Sequence, residues 1–104
     1  MFAVYVYALD TLADWELGHA AAELHSGRFF KRGAPGVSVK TVGVSKEPVK
    51  TMGGLTIIPD CVVDDIAVNE GSVLLLPGAN TWDNPEHGAI IEKAGELLSA
   101  GAMV

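Results

Sequence analysis

The chain has 104 residues, 49% of them apolar, and carries seven basic against thirteen acidic side chains for a net charge of −6. That is one domain at most, apolar enough to build a core, which excludes disorder. The acidic balance excludes a nucleic-acid face, since Arg28, Lys31 and Arg32 are the nearest approach to a basic cluster, and no apolar run reaches the roughly 18 residues of a membrane span.

Met1-Phe2-Ala3-Val4 enters a strand directly. It has neither a basic n-region nor a small-residue cleavage pattern, so a cytoplasmic location is expected. Phe2 to Leu9 is β-branched and aromatic throughout and predicts a first, central strand. Thr11 reads as the N-cap of a helix, with Asp14 as the acidic half of a capping box. Leu12 to about His25 fits that helix: Leu17, Ala20, Ala21 and Leu24 recur at helical spacing and would face a sheet, and Gly27 supplies the stop.

Gly33-Ala34-Pro35-Gly36 is a loop before a second strand, Val37 to Val44, which completes a right-handed βαβ unit. Met52-Gly53-Gly54 between two short β-prone runs predicts a small hairpin that closes at Pro59-Asp60. Val62 to Ile66 is expected to form one helical turn capped by Asp60. The run Val73-Leu74-Leu75-Leu76 reads as a strand buried on both faces of a parallel sheet. Pro77-Gly78-Ala79-Asn80 then delivers exposed backbone N–H groups into a loop, where open α/β sheets bind ligands. The last helix is predicted over Pro85 to Ala100, with Ile90, Ile91, Ala94, Leu97 and Leu98 as its apolar stripe and Gly101 as its end. Ala102-Met103-Val104 begins another strand, shorter than the usual five or six residues, so the sheet is expected to continue beyond this chain.

No cofactor or metal is expected. Asp10-Thr11-Leu12-Ala13 is no glycine-rich phosphate cradle, and Pro77-Gly78 stands where a phospho-receiver would carry an aspartate. The single cysteine, Cys61, and the scattered His19, His25 and His87 match no zinc spacing. Each histidine reads as a surface or helix-face residue, and Cys61 as an ordinary half-buried thiol.

The order of these parts resembles the ThiJ/PfpI superfamily, relatives of class I glutamine amidotransferases. Three motifs carry the resemblance: Asp14-Trp15-Glu16-Leu17 in the first turn of the first helix, Ile57-Ile58-Pro59-Asp60 closing the hairpin, and Leu76-Pro77-Gly78-Ala79 ending the central strand. The last departs from the family's Leu-Pro-Gly-Gly by Ala79. The resemblance covers the whole chain, as the N-terminal portion of one such domain, and implies a flavodoxin-like three-layer α/β sandwich with a parallel central sheet, ending before the family's nucleophile elbow.

It also implies a cysteine-dependent hydrolase or a glyoxalase or deglycase-like protein acting on a small-molecule or peptide substrate. The nucleophilic cysteine would follow the strand that opens at Ala102, and Cys61 is not its counterpart. Glu16 matches the family's acid, a carboxyl desolvated under Trp15 that donates a hydrogen bond to a thiolate. Gly78 and Ala79 take the oxyanion-hole role with their N–H groups, and Asn80 and Trp82 line the pocket mouth. A homodimer, or completion by a second polypeptide bearing the C-terminal half, is expected. The alternative is a non-catalytic binding or assembly protein on the same half-fold.

Overall fold

In the computed structural model, residues 2–104 are described; Met1, where the strand entry was expected to begin, lies outside them. Strand β1 (Phe2–Tyr7) occupies the middle of a parallel sheet, between β2 (Val37–Gly43) and β6 (Ser72–Leu75), with the short β5 (Cys61–Val62) beyond β2. The register aligns Val4 with Val39 on one side and with Val73 on the other. A central position suits β1, because its alternating side chains are wanted on both faces. Tyr5 and Tyr7 join Leu74 and the second helix in one core, whereas Val4 and Val6 face the first helix. The architecture is the expected flavodoxin-like α/β sandwich.

Helix α1 (Asp14–Ser26) ends as read, with Gly27 in the left-handed region at φ 62° and its N–H bonded to the Glu23 carbonyl. Its start differs. The N-cap is Ala13, with no side-chain cap, and Thr11 instead adopts a left-handed φ of 69°. The Thr11 hydroxyl is spent elsewhere, accepting from the Asn80 N–H at 2.8 Å. Leu17, Ala20, Ala21 and Leu24 do turn toward the sheet, but none is fully buried. Two apolar clefts remain on this face, one bordered by Val6, Leu17, Ala21 and Val39, the other by Phe2, Val4, Leu24, Val37, Val73 and Met103.

The opposite face is well covered. Helix α2 (Gly88–Ser99) buries Ile90, Ala94 and Leu97 against Tyr5, Tyr7 and Leu74. The predicted stripe was too wide: Ile91 and Leu98 are 56% and 60% exposed. The predicted start was also too simple, for Pro85–His87 forms a separate 3₁₀ turn before α2 begins. The hairpin of β3 (Val49–Lys50) and β4 (Thr56–Ile57) pairs antiparallel as expected. Asp60 does not cap a helical turn. Its carboxylate accepts from the Thr41 N–H at 2.8 Å and so fastens β5 to β2, while Asp65 serves the 3₁₀ turn by accepting from the Val62 N–H.

After α2, Gly101 takes φ 85° and the chain returns to the sheet. Met103 bridges Val73 in parallel, accepting from the Leu74 N–H at 2.9 Å and donating to the Ser72 carbonyl at 3.2 Å. Where the sequence predicts the start of a strand, Met103 thus forms one parallel bridge beside β6. Among the described residues, no helix is long and apolar enough to cross a membrane.

Candidate active site

Two loops leave the sheet side by side, one from the C-terminal end of β1 and one from that of β6. Adjacent parallel strands must release their chains at the same edge, so residues far apart in sequence meet there. The loops are knitted together by backbone and side chain: Ala13 N–H donates to the Gly78 carbonyl at 2.8 Å, and the Thr81 hydroxyl donates to the Asp10 carbonyl at 3.0 Å. The Thr11–Asn80 bond completes the seam.

Glu16, in the first turn of α1, points across this seam. Its Oε1 accepts from the Gly78 N–H at 2.7 Å. A Cβ at Gly78 would lie 2.5 Å from Oε1, so any larger residue would displace the Glu16 carboxyl from this contact. Ala79 follows, half-buried against the core, and its N–H meets no protein acceptor among the described residues. Its φ is negative, as is that of Gly78, so an alanine in place of the usual second glycine costs no backbone strain.

The three residues singled out from sequence, Glu16, Gly78 and Ala79, therefore converge at one sheet end. The expected shielding of Glu16 does not occur. Its side chain is exposed, and Trp15 is itself 67% exposed rather than lying over it. Asn80 is exposed beside Ala79. Trp82 is not a rim residue but packs inward, its indole N–H donating to the Pro77 carbonyl at 2.9 Å.

Sequence reasoning missed His87. It is 2% exposed, its Nδ1 lies 2.7 Å from the Tyr7 hydroxyl, and the rings of Tyr7, Trp82 and His87 stand 5.3 to 5.5 Å apart. The signal available was a tyrosine ending a buried strand, a residue that needs a polar partner for its hydroxyl. Burial, then the nearby Glu86 carboxylate, push Tyr7 up to about 12, which keeps it protonated. Cys61 behaves as read: half-buried at the far edge of the sheet, with burial and then the Asp65 carboxylate pushing its thiol up, away from the reactive thiolate.

Asp14 has a bracing role instead of a capping one. Its Oδ1 accepts from the Gly53 N–H at 2.8 Å, tying the hairpin to α1. The Thr51 hydroxyl foremost, then the Gly53 N–H, hold this carboxyl below its ordinary 3.8. Because the folded value is depressed, the stabilisation is complete above the unfolded value and is lost as pH falls through the folded one. We expect urea midpoints of the parent chain to fall more steeply than those of Asp14→Asn between about pH 5 and pH 2. Parallel profiles would show that the carboxylate contributes nothing to the fold.

Comparison with known proteins gives this geometry its context. A family model described as the DJ-1/PfpI family matches residues 3–104. A curated protein of Bacillus subtilis (strain 168), named as the uncharacterized protease YoaZ, is 44% identical over 101 residues, which are 97% of this chain and 48% of that protein. The crystal structure of a thiJ/pfpI family protein from Bacillus anthracis superposes with a TM-score of 0.91 at 41% identity, covering 97% of this chain and 49% of the other. A DJ-1 superfamily protein from Agrobacterium tumefaciens shares the fold at 22% identity and a TM-score of 0.77, covering 98% and 50%. The chain spans about half the length of these relatives.

Proposed function

This chain belongs to the DJ-1/PfpI family, and on that premise we propose that it is the N-terminal part of a cysteine-dependent hydrolase or glyoxalase/deglycase-like domain, to which it supplies the acid and the oxyanion donors. The observation that carries the reading is the 2.7 Å bond between the Gly78 N–H and Glu16 Oε1, at the C-terminal end of β6 and beside the strand that opens at Met103. A nucleophile emerging from that neighbouring strand would reach the same sheet end. The Gly78 N–H would exchange its bond to Glu16 for one to the negative charge developing on a carbonyl or hemithioacetal oxygen, joining the Ala79 N–H there, and the released Glu16 carboxyl would hydrogen-bond the attacking sulfur.

The other half of the site comes with a C-terminal half-domain, in the same polypeptide or in a second one. Two features support this. The relatives are twice as long, and the clefts beside α1 leave apolar surface that a further layer of structure would cover. Two copies of the completed domain would form a homodimer.

The test is to join residues 1–104 to the C-terminal half of the Bacillus subtilis relative and measure iodoacetamide alkylation of the cysteine supplied, together with turnover of a peptide ester and of a 2-oxoaldehyde. The joined domain should turn over at least one of them, and Glu16→Ala should slow both alkylation and turnover at neutral pH by about a hundredfold. Equal turnover by residues 1–104 alone, or an unaltered Glu16→Ala variant, would refute the reading.

A further inference from the structure

The Pro77 carbonyl and the Gly78 N–H belong to one peptide unit, which resonance keeps planar. The N–H end of that plane donates to Glu16 Oε1 at 2.7 Å, and the carbonyl end accepts from the Trp82 indole at 2.9 Å. Fixing one end of a rigid plane fixes the direction of the other. Trp82 itself has a seat, with its ring 5.5 Å from Tyr7 and 5.3 Å from His87, while Tyr7 and His87 meet edge to face.

The protons of that seat can be assigned. Thr81 gives its single hydroxyl proton to the Asp10 carbonyl at 3.0 Å, so toward His87 Nε2, 3.5 Å away, it can only accept. The imidazole proton then belongs on Nε2, which leaves Nδ1 to accept from the Tyr7 hydroxyl at 2.7 Å. Both rings are buried, so neither can trade this bond for one with water.

We propose that Trp82 is a positioning residue: seated on Tyr7 and His87, it holds the Pro77–Gly78 peptide so that the Gly78 N–H is aimed at the site. Its consequence for catalysis rests on the reading of Gly78 as an oxyanion donor; the positioning itself does not. A hydrogen bond to the carbonyl also polarises the amide, which strengthens its N–H as a donor.

Trp82→Phe tests this, because it keeps an aromatic ring in the seat and removes the indole donor. In the isotope-labelled full chain, the Gly78 amide proton should move upfield, and backbone order parameters over residues 77–82 should fall from about 0.85 to below about 0.6. β1 and β6 should be unchanged. Tyr7→Phe, which removes only a hydroxyl, should shift the same residues by less, and it carries the test if Trp82→Phe does not fold. An unmoved Gly78 amide overturns the proposal, as does a loosening spread evenly through the sheet, which would make Trp82 mere core filling. In the completed domain, Trp82→Phe should lower kcat about tenfold with KM unchanged, less than loss of the donor itself. A loosened peptide with intact turnover supports the positioning and counts against Gly78 as the oxyanion donor.

Discussion

Leu74→Ala is expected to remove most of the chain's stability at 25 °C. Leu74, in β6 beside the central β1, is fully buried among Tyr5, Tyr7, Ile90 and Leu97. Truncating such a leucine removes its transfer free energy and leaves a cavity, together about 2–5 kcal/mol. A small domain holds only about 5–15 kcal/mol in all. Here the sheet has one well-covered face and one with open clefts, so the reserve lies toward the lower end. Far-ultraviolet circular dichroism against urea would measure it. Leu98→Ala on α2, the helix whose buried face meets Leu74, is the control: Leu98 is 60% exposed, and its loss should change the midpoint little. Equal effects of the two would mean that α2 does not pack through the face described.

Gly78→Ala should lower turnover of the completed domain by about two to three orders of magnitude, the usual consequence of losing one oxyanion donor. The substitution keeps the N–H, so the loss must come from geometry. A methyl carbon at this position would sit 2.5 Å from Glu16 Oε1, and one of the two must give way. Glu16 is exposed and can swing outward, so the urea midpoint should move far less than the rate. Wild-type kcat with a displaced Glu16 would show that the chemistry uses neither contact. A variant that fails to fold would place Gly78 with the structural glycines, and Glu16→Gln, which keeps the side chain's shape and an acceptor oxygen, would then carry the measurement.

Much of this molecule was legible in its sequence because the deciding physics is local. The β-branched run of β1, the apolar run of β6, the Gly-Gly hairpin and the glycines ending α1 and α2 are each fixed by residues within a few positions of one another. The parallel sheet follows from strands separated by helices. The motifs around Glu16 and Gly78 also lie in short stretches, which is why the resemblance named them and why the structure finds them together.

What the sequence could not decide is where polar side chains spend their hydrogen bonds. Thr11, Asp14 and Asp60 all look like helix caps, because capping is a local option open to any short oxygen-bearing side chain. The fold offered each a partner elsewhere: Asn80 for Thr11, Gly53 for Asp14, Thr41 for Asp60. His87 is hidden for the same reason, its partner Tyr7 lying eighty residues away. The sequence by itself determined the long elements, their order, the helix turn that carries Glu16 and the strand end that carries Gly78 and Ala79. Only the tertiary structure decided that Glu16 stays exposed, that Trp82 turns inward, and that the Pro77–Gly78 peptide is held at both ends. Those outcomes depend on which groups two adjacent strand ends bring within hydrogen-bond reach, and no local pattern encodes that meeting.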